Sequence, residues 1–273
     1  MRQMALKLEN ISKTFKTPPH HLEVLRNINL EIFQGETVCL LGHSGCGKST
    51  LLQIVAGLEP STEGRVHIKN SLVTRPNRQV SLIFAKNLLF PWLDVAGNVA
   101  LGLNVRGVSQ AEARIASTLA LVGLAGFEQA MPASLSASQT QQVALARAIV
   151  NRPEALLLDD PFSKLDPFAR LTTQDSLAHV LPQIQTAALF VTRDIEEAVF
   201  LGNRIVIMAP RPGHITHSIE VPLPHPRDRH HADFLHIRRQ VVAALGHQPQ
   251  ADDRSVACQP PAQQSHLTAQ PNS

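Results

Sequence analysis

Gly42 to Thr50 reads GHSGCGKST and follows directly on an apolar run, Thr37-Val38-Cys39-Leu40-Leu41. This is G-x-x-x-x-G-K-[ST] in the setting that gives the pattern its meaning: a strand, a glycine-rich turn, then a helix start. Gly42, Gly45 and Gly47 can take backbone angles closed to other residues. The turn His43-Ser44-Gly45-Cys46-Gly47 can therefore wrap its N–H groups around a phosphate chain. The helix that begins near Lys48 adds the partial positive charge of its N-terminus, beside Ser49 and Thr50. Lys48 is placed to reach the β- and γ-phosphates and Ser49 to ligate Mg²⁺. The alternative, a glycine-rich surface turn, leaves the strand before it and the helix after it without a purpose. The chain is expected to bind a nucleoside triphosphate on an α/β fold.

Composition narrows the class further. With 273 residues, 44 % of them hydrophobic, the chain can bury a sizeable core in one large domain or two small ones. Its purely apolar runs, such as Ala187 to Val191, are too short to span a membrane. The start, MRQMALKLEN, has no apolar centre of signal-peptide type. A net charge of +3 with scattered lysines and arginines does not favour nucleic acid. Cys39, Cys46 and Cys258 form no C-x-x-C pair, which suggests a reducing compartment and neither disulfides nor zinc. Cys46 is read as a small filler within the loop.

The chain divides into three regions. Met4 to Leu8, Ile28 to Ile32, Thr37 to Leu41, Arg65 to Ile68 and Val80 to Phe84 read as strands, interrupted by a helix from Lys48 to Ala56 that Gly57 ends. Pro18-Pro19-His20-His21 reads as a hairpin tip. Asp94 to Leu103 and Ser109 to Val122 carry apolar spacing near 3.6 residues, with Ser109 as N-cap. Ala155 to Leu158, Ala187 to Val191 and Arg204 to Met208 are continuous apolar runs of the buried parallel-strand kind. From about Gly246 the composition turns to Gln, Pro, Ser and Ala, and a disordered tail, 246–273, is expected. One further feature carries chemistry: Ala155-Leu156-Leu157-Leu158 ends in Asp159 and Asp160. Strand ends in such sheets face the ligand crevice. Asp159 is therefore expected to hold the Mg²⁺ ion and Asp160 to lie beside the γ-phosphate.

With these residues in hand, the chain resembles the ATP-binding subunit of an ABC transporter over roughly residues 4 to 225. Phe15, in ISKTF, sits where an aromatic stacks on adenine. Phe84 to Leu103 resembles the Q-loop and the entry to the helical subdomain. Leu135 to Val150 resembles the signature helix, with Ser136 at the nucleotide held by an opposite subunit. Leu156 to Asp166 covers the Walker B strand and D-loop, and Val191 to Val199 the switch-histidine segment. LLFPWL, DIEEAV and VPLPHPRDR are similar to the nitrate/sulfonate/taurine importer branch, and His43 with IVAGL leans to its nitrate/nitrite members. The resemblance implies a P-loop core with an antiparallel β subdomain and a helical subdomain inserted at about 87–150, all within a domain spanning 1–245. It also implies ATP and Mg²⁺ as cofactors. The implied partners are transmembrane permease subunits, a second ATP-binding subunit in a homo- or heterodimer and, indirectly, a periplasmic solute-binding protein. The implied place is the cytoplasmic face of the plasma membrane.

The departures from the family pattern fall at the hydrolytic positions. The Q-loop glutamine is Ala85. The LSGGQ signature is Leu135-Ser136-Ala137-Ser138-Gln139, with Gln142 replacing an arginine downstream. The catalytic glutamate is Asp160, one methylene shorter, and the switch histidine is Arg193, which cannot be neutral. Cβ atoms on Ala137 and Ser138 are expected to hinder approach to a phosphate. The expectation is an importer ATPase of weak turnover or, alternatively, a regulatory subunit that binds ATP without turning it over. A soluble ABC protein acting on nucleic acid or ribosomes is disfavoured by the single cassette and the lack of a basic patch. Trp92 is expected at the subdomain junction or against the permease. His225, His230, His231 and His236 are expected at a solvated helix start.

Overall fold

A computed structural model describes residues 3–17, 20–84, 89–104 and 111–246. Outside them lie Ala85, the segment Lys86 to Leu88, the Pro18-Pro19 tip, the expected cap Ser109 and the tail beyond Gly246. Two long strands, β1 (Met4–Thr17) and β2 (His20–Phe33), pair antiparallel from Met4↔Phe33 to Thr17↔His20. The segment from β3 (Thr37–Gly42) to α1 (Lys48–Val55) follows, with Gly57 in the left-handed region just beyond the helix. Next come β4 (Glu63–Ile68), the short β5 (Ser71–Leu72) and β6 (Val80–Ile83). Three helices follow, α2 (Val95–Asn104), α3 (Ala111–Leu121) and α4 (Ala137–Ile149). Strand and helix then alternate through β7 (Ala155–Asp159), α5 (Pro167–Ile184), β8 (Ala187–Thr192), α6 (Ile195–Leu201) and β9 (Arg204–Ala209). The chain continues with β10 (His214–Glu220) and α7 (Ala232–Gly246).

The strands form two sheets. One is antiparallel, in the order β2-β1-β4-β5. The other is ordered β10-β9-β3-β8-β7-β6, parallel throughout except that β10 runs against β9. The central strands are apolar along their interiors because both faces of the sheet are covered. Cys39, Leu41, Leu156, Leu158, Ala188, Phe190, Ile205 and Ile207 belong to the core shared with α2 to α7. The residues between them, Val38, Leu40, Leu157, Leu189, Val191 and Val206, join a second core with α1 and the antiparallel sheet. Side-chain alternation along each strand thus divides one apolar run between two cores.

Local chemistry starts three of the helices. Ser136 caps α4 in a capping box. Its hydroxyl accepts from the Gln139 N–H at 3.2 Å, and the Gln139 side chain accepts from the Ser136 N–H at 2.9 Å. Asp166 caps α5 ahead of Pro167, accepting from the N–H groups of Phe168 and Ala169. Asp194 caps α6 through the N–H groups of Glu196 and Glu197. The C-terminal segment is tied down by Arg227, whose buried guanidinium donates to the carbonyls of Val199 (2.6 Å), Gly202 (2.7 Å) and Leu223 (2.9 Å). His225 departs from the expected solvated helix start. It is half-buried ahead of α7, and burial, with the Arg227 charge beside it, holds its imidazole down at about 4.

Candidate nucleotide site

β3, β8 and β7 are adjacent and parallel, so their C-terminal ends converge, and each end carries polar residues. After β3 comes the loop from Gly42 to Lys48. β7 ends in Asp159 and Asp160, and β8 leads into Arg193. Between them lies a cleft of about 390 Å³ lined by Lys48, Ser49, Asp159, Asp160, Arg193 and Val24 among others. A larger cleft, about 490 Å³, lies at the other end of β3, around Phe33 to Glu36 and Val221 to Pro224. Ligands in open α/β sheets sit beyond the carboxyl ends of the strands, so the smaller cleft is the candidate.

The loop is built from its glycines. Gly47 has φ +94°, and a Cβ there would lie 2.6 Å from Leu25 Cδ2. A side chain at that position would cost roughly 1–2 kcal/mol in backbone strain alone. The Lys48 ammonium is drawn into the loop and donates to the carbonyls of Gly42 (2.7 Å) and His43 (2.8 Å). Cys46 is buried beneath, its sulfur 3.4 Å from Lys48 Nζ, a filler as expected. The Ser49 hydroxyl donates to Asp159 Oδ1 at 3.0 Å. Burial raises the Asp159 carboxyl above its usual value, the Ser49 bond opposes this, and the neighbouring Asp160 adds to it. A carboxylate crowded in this way gains from a cation, and hydroxyl plus carboxylate oxygens suit a hard one. Asp160 itself takes a left-handed backbone (φ +45°), its N–H donating to the Val191 carbonyl at 3.0 Å. Arg193 Nη2 donates to Asp160 Oδ2 at 3.2 Å.

Other expected residues lie apart from this cleft. Phe15 is not part of its lining. The ring is half-buried on β1 with Lys13 Nζ 4.8 Å from its centroid. Ser136 stands at the start of α4, outside the cleft of its own chain. The Ser138 side chain does not project as expected. Its hydroxyl turns inward to Thr173 Oγ1 of α5 at 3.1 Å, whereas Ala137 is exposed. Trp92 is 70 % exposed and meets Phe90 edge-on at 5.2 Å, so it does not pack at the subdomain junction.

The structure also brings in residues that the motifs do not flag. Val24 lines the cleft from β2, across the sheet boundary. Arg211 and Gly213 brace the loop from the β9–β10 turn. A Cβ on Gly213 would lie 2.0 Å from the Cys46 carbonyl, and one on Gly45 would lie 3.6 Å from Arg211 Nη2. The Arg-Pro-Gly tripeptide is legible as a turn, but only the β3–β9 pairing places that turn against the phosphate loop.

The profile of the ABC transporter family matches residues 25–163. The chain belongs to the ABC transporter family. The aliphatic sulfonates import ATP-binding protein SsuB of Bacillus subtilis (strain 168) is 41 % identical over 240 residues, 88 % of this chain and 94 % of that protein. SsuB 1 of Xanthomonas axonopodis pv. citri (strain 306) is 42 % identical over 250 residues, 90 % of this chain and 98 % of that protein. Among solved structures, a dimeric ATP-binding cassette in a post-hydrolysis state, bound to ADP and Pi, superposes with a TM-score of 0.67. It shares 31 % identity over 80 % of this chain and 100 % of that one. A cassette from a Clostridium perfringens ABC transporter complex, at 23 % identity and a TM-score of 0.71, shares the fold. The ABC ATPase fold is thus present: a P-loop core, an antiparallel β subdomain and helices α2 to α4 inserted between β6 and β7. The chain is an ATP-binding subunit of a family that hydrolyses ATP. No helix among the described residues is long and apolar enough to cross a membrane.

Proposed function

We propose that this chain is the ATP-binding subunit of an importer for a small anion, with organic sulfonates ahead of taurine and nitrate or nitrite. The observation that carries the reading is the meeting of Lys48, Ser49 and Asp159 in one cleft at the ends of adjacent parallel strands. Kinship to subunits named for sulfonate import supports the solute class. The nitrate leaning rests on the sequence alone.

In this reading the loop N–H groups and Lys48 hold the phosphate chain, and Ser49 and Asp159 hold Mg²⁺. The ion supplies neutralisation of the β- and γ-phosphate charge. Asp160 and Arg193 face the reacting end. The subunit sits peripherally on the cytoplasmic face of the plasma membrane beneath its permease, with Phe90 and Trp92 among the contacts. It pairs with a second ATP-binding subunit, whose nucleotide Ser136 approaches. The ATP-binding domain covers residues 1–245, with 246–273 as an appended tail.

Hydrolysis is slow in this reading. The Asp160 carboxylate is shorter than a glutamate by one methylene, and without a nucleotide one of its oxygens accepts from Arg193, which cannot be neutral. A displacement of about 1 Å in a reacting group can cost roughly a hundredfold in rate. The same pair favours a second reading, a regulatory half of a heterodimer that retains ATP. Phosphate release from Mg·ATP by the purified chain, alone and reconstituted with its permease, separates the two. Turnover that the solute and permease stimulate supports the transport ATPase. ATP bound without phosphate release in either setting supports the regulatory subunit.

A further inference from the structure

Two side chains that depart from the ABC pattern face each other. Asp160 and Arg193 line the same cleft as Lys48 and Ser49, and Arg193 Nη2 is 3.2 Å from Asp160 Oδ2. The two partners are held very differently. Asp160 is anchored: its N–H donates to the Val191 carbonyl at 3.0 Å, and its own carbonyl accepts from the Ser163 hydroxyl at 2.8 Å. The Asp160 side chain is 20 % exposed, against 58 % for Arg193. Among the described residues Arg193 makes no second ion pair or hydrogen bond through its side chain. A guanidinium has five N–H donors, so most of its capacity is still to be used.

From this arrangement we propose that Arg193 discriminates triphosphate from diphosphate by changing partner, leaving Asp160 for the terminal phosphate of ATP. This rests on the cleft being the ATP site proposed above. A carboxylate offers one negative charge and two oxygens. A terminal phosphate offers nearly two charges and three oxygens, and it forms the stronger bidentate pair with arginine. Giving up the existing pair costs little, because an exposed ion pair contributes a factor of at most about five. A nucleoside diphosphate has no γ-phosphate, and its terminal β-phosphate is held by the loop and Lys48, so Arg193 stays on Asp160. Both oxygens of the Asp160 carboxylate are then released from Arg193 only when a triphosphate is present. Neither residue does this alone. The discrimination lies in their competition for one guanidinium.

The test is a double-mutant cycle read by binding, with no turnover needed. The full chain is titrated calorimetrically with Mg·ADP and with Mg·AMP-PNP, a non-hydrolysable ATP analogue. Wild type, Asp160→Asn, Arg193→Gln and the double variant are compared, each checked by light scattering to be in one oligomeric state. Asp160→Asn should tighten AMP-PNP binding by about threefold or more while ADP binding stays put. Arg193→Gln should lower the preference for AMP-PNP over ADP by a similar factor. In the Arg193→Gln background Asp160→Asn should no longer change AMP-PNP affinity. If Asp160→Asn tightens AMP-PNP equally with and without Arg193, the carboxylate acts by repulsion alone and the exchange is wrong. It is equally wrong if ADP and AMP-PNP shift together. Should wild type bind neither nucleotide, the reading of the cleft as an ATP site falls and this inference falls with it.

Discussion

Lys48 is 7 % exposed, and its ammonium donates to two backbone carbonyls of its own loop. A charge held at that depth is favourable only where it has strong partners, and a bound phosphate supplies them. Lys48→Ala should therefore weaken Mg·ATP binding by at least about tenfold, 1.4 kcal/mol, as read by calorimetry. Equal affinities for wild type and variant would sink the assignment of the cleft. The residue scale is also where the motifs say least about orientation. Ser138 replaces a glycine, and a side chain there suggested obstruction. Its hydroxyl instead bonds Thr173 at 3.1 Å, which turns it away from the surface. The exposed Ala137 is left as the side chain that a partner's phosphate would meet.

Among the elements, the segment from Val221 to Arg229 carries the clearest pH dependence. His225 Nδ1 is buried with no hydrogen-bond partner among the described residues, and burial, with the Arg227 charge beside it, pushes the imidazole down to about 4. In the unfolded chain it titrates near 6.5. The folded state therefore binds fewer protons, and the histidine's contribution is complete above about 6.5 and lost as pH falls towards 4. Discounting for partial solvent contact, wild type should lose about 2 kcal/mol more than His225→Gln between about pH 7 and pH 4. Thermal unfolding at a series of pH values checks this, and parallel curves for the two proteins would refute it. The Phe90–Trp92 surface belongs to the same scale. Leu89 packs partly against the core, so an aspartate there would disturb folding as well as docking. Trp92 is the cleaner probe, since it is exposed and packs edge-on against Phe90. Trp92→Ala should reduce co-purification with the permease by about tenfold, as expected of an aromatic anchor, while ATP binding persists. Unchanged co-purification would place the docking surface elsewhere.

For the whole molecule the question is how two copies share their defects. If each ATP lies between one subunit's cleft and the other's α4, a homodimer carries Ala85, Asp160, Arg193 and Ala137 at both sites. Pairing with a subunit of regular motifs divides these losses, leaving impaired catalytic residues at one site and an impaired signature at the other. Transport supported by this chain should therefore involve a heterodimer, with this chain as the slower half. Restoring Ala85→Gln, Ala137→Gly, Ser138→Gly, Asp160→Glu and Arg193→His together should raise kcat by at least about tenfold, 1.4 kcal/mol of barrier. With Ser138 turned inward, leaving that residue unchanged should forfeit little of the gain. A wild-type homodimer turning over at about 1 s⁻¹ or faster, ordinary for an enzyme, would refute the impairment.

Much of this was legible in the sequence because it depends on short-range patterns. GHSGCGKST after an apolar run specifies strand, turn and helix within a few residues. The unbroken runs at Leu156 to Leu158 and Ala187 to Val191 specify strands covered on both faces. What could not be read depends on which strands become neighbours. The antiparallel β10 gives little apolar signal, because as an edge strand it buries little of either face. Val24 reaches the nucleotide cleft and Arg211 the phosphate loop from distant parts of the chain, because β2 folds over the loop and β9 pairs with β3. Asp160 and Arg193 were each visible as a substitution, while their contact exists because β7 and β8 run side by side in register. The sequence by itself determined the fold class and the phosphate-binding chemistry, because local spacing sets backbone conformation and side-chain type sets reactivity. Only the tertiary structure decided which charges meet, because distance between side chains is set by strand pairing and not by separation along the chain.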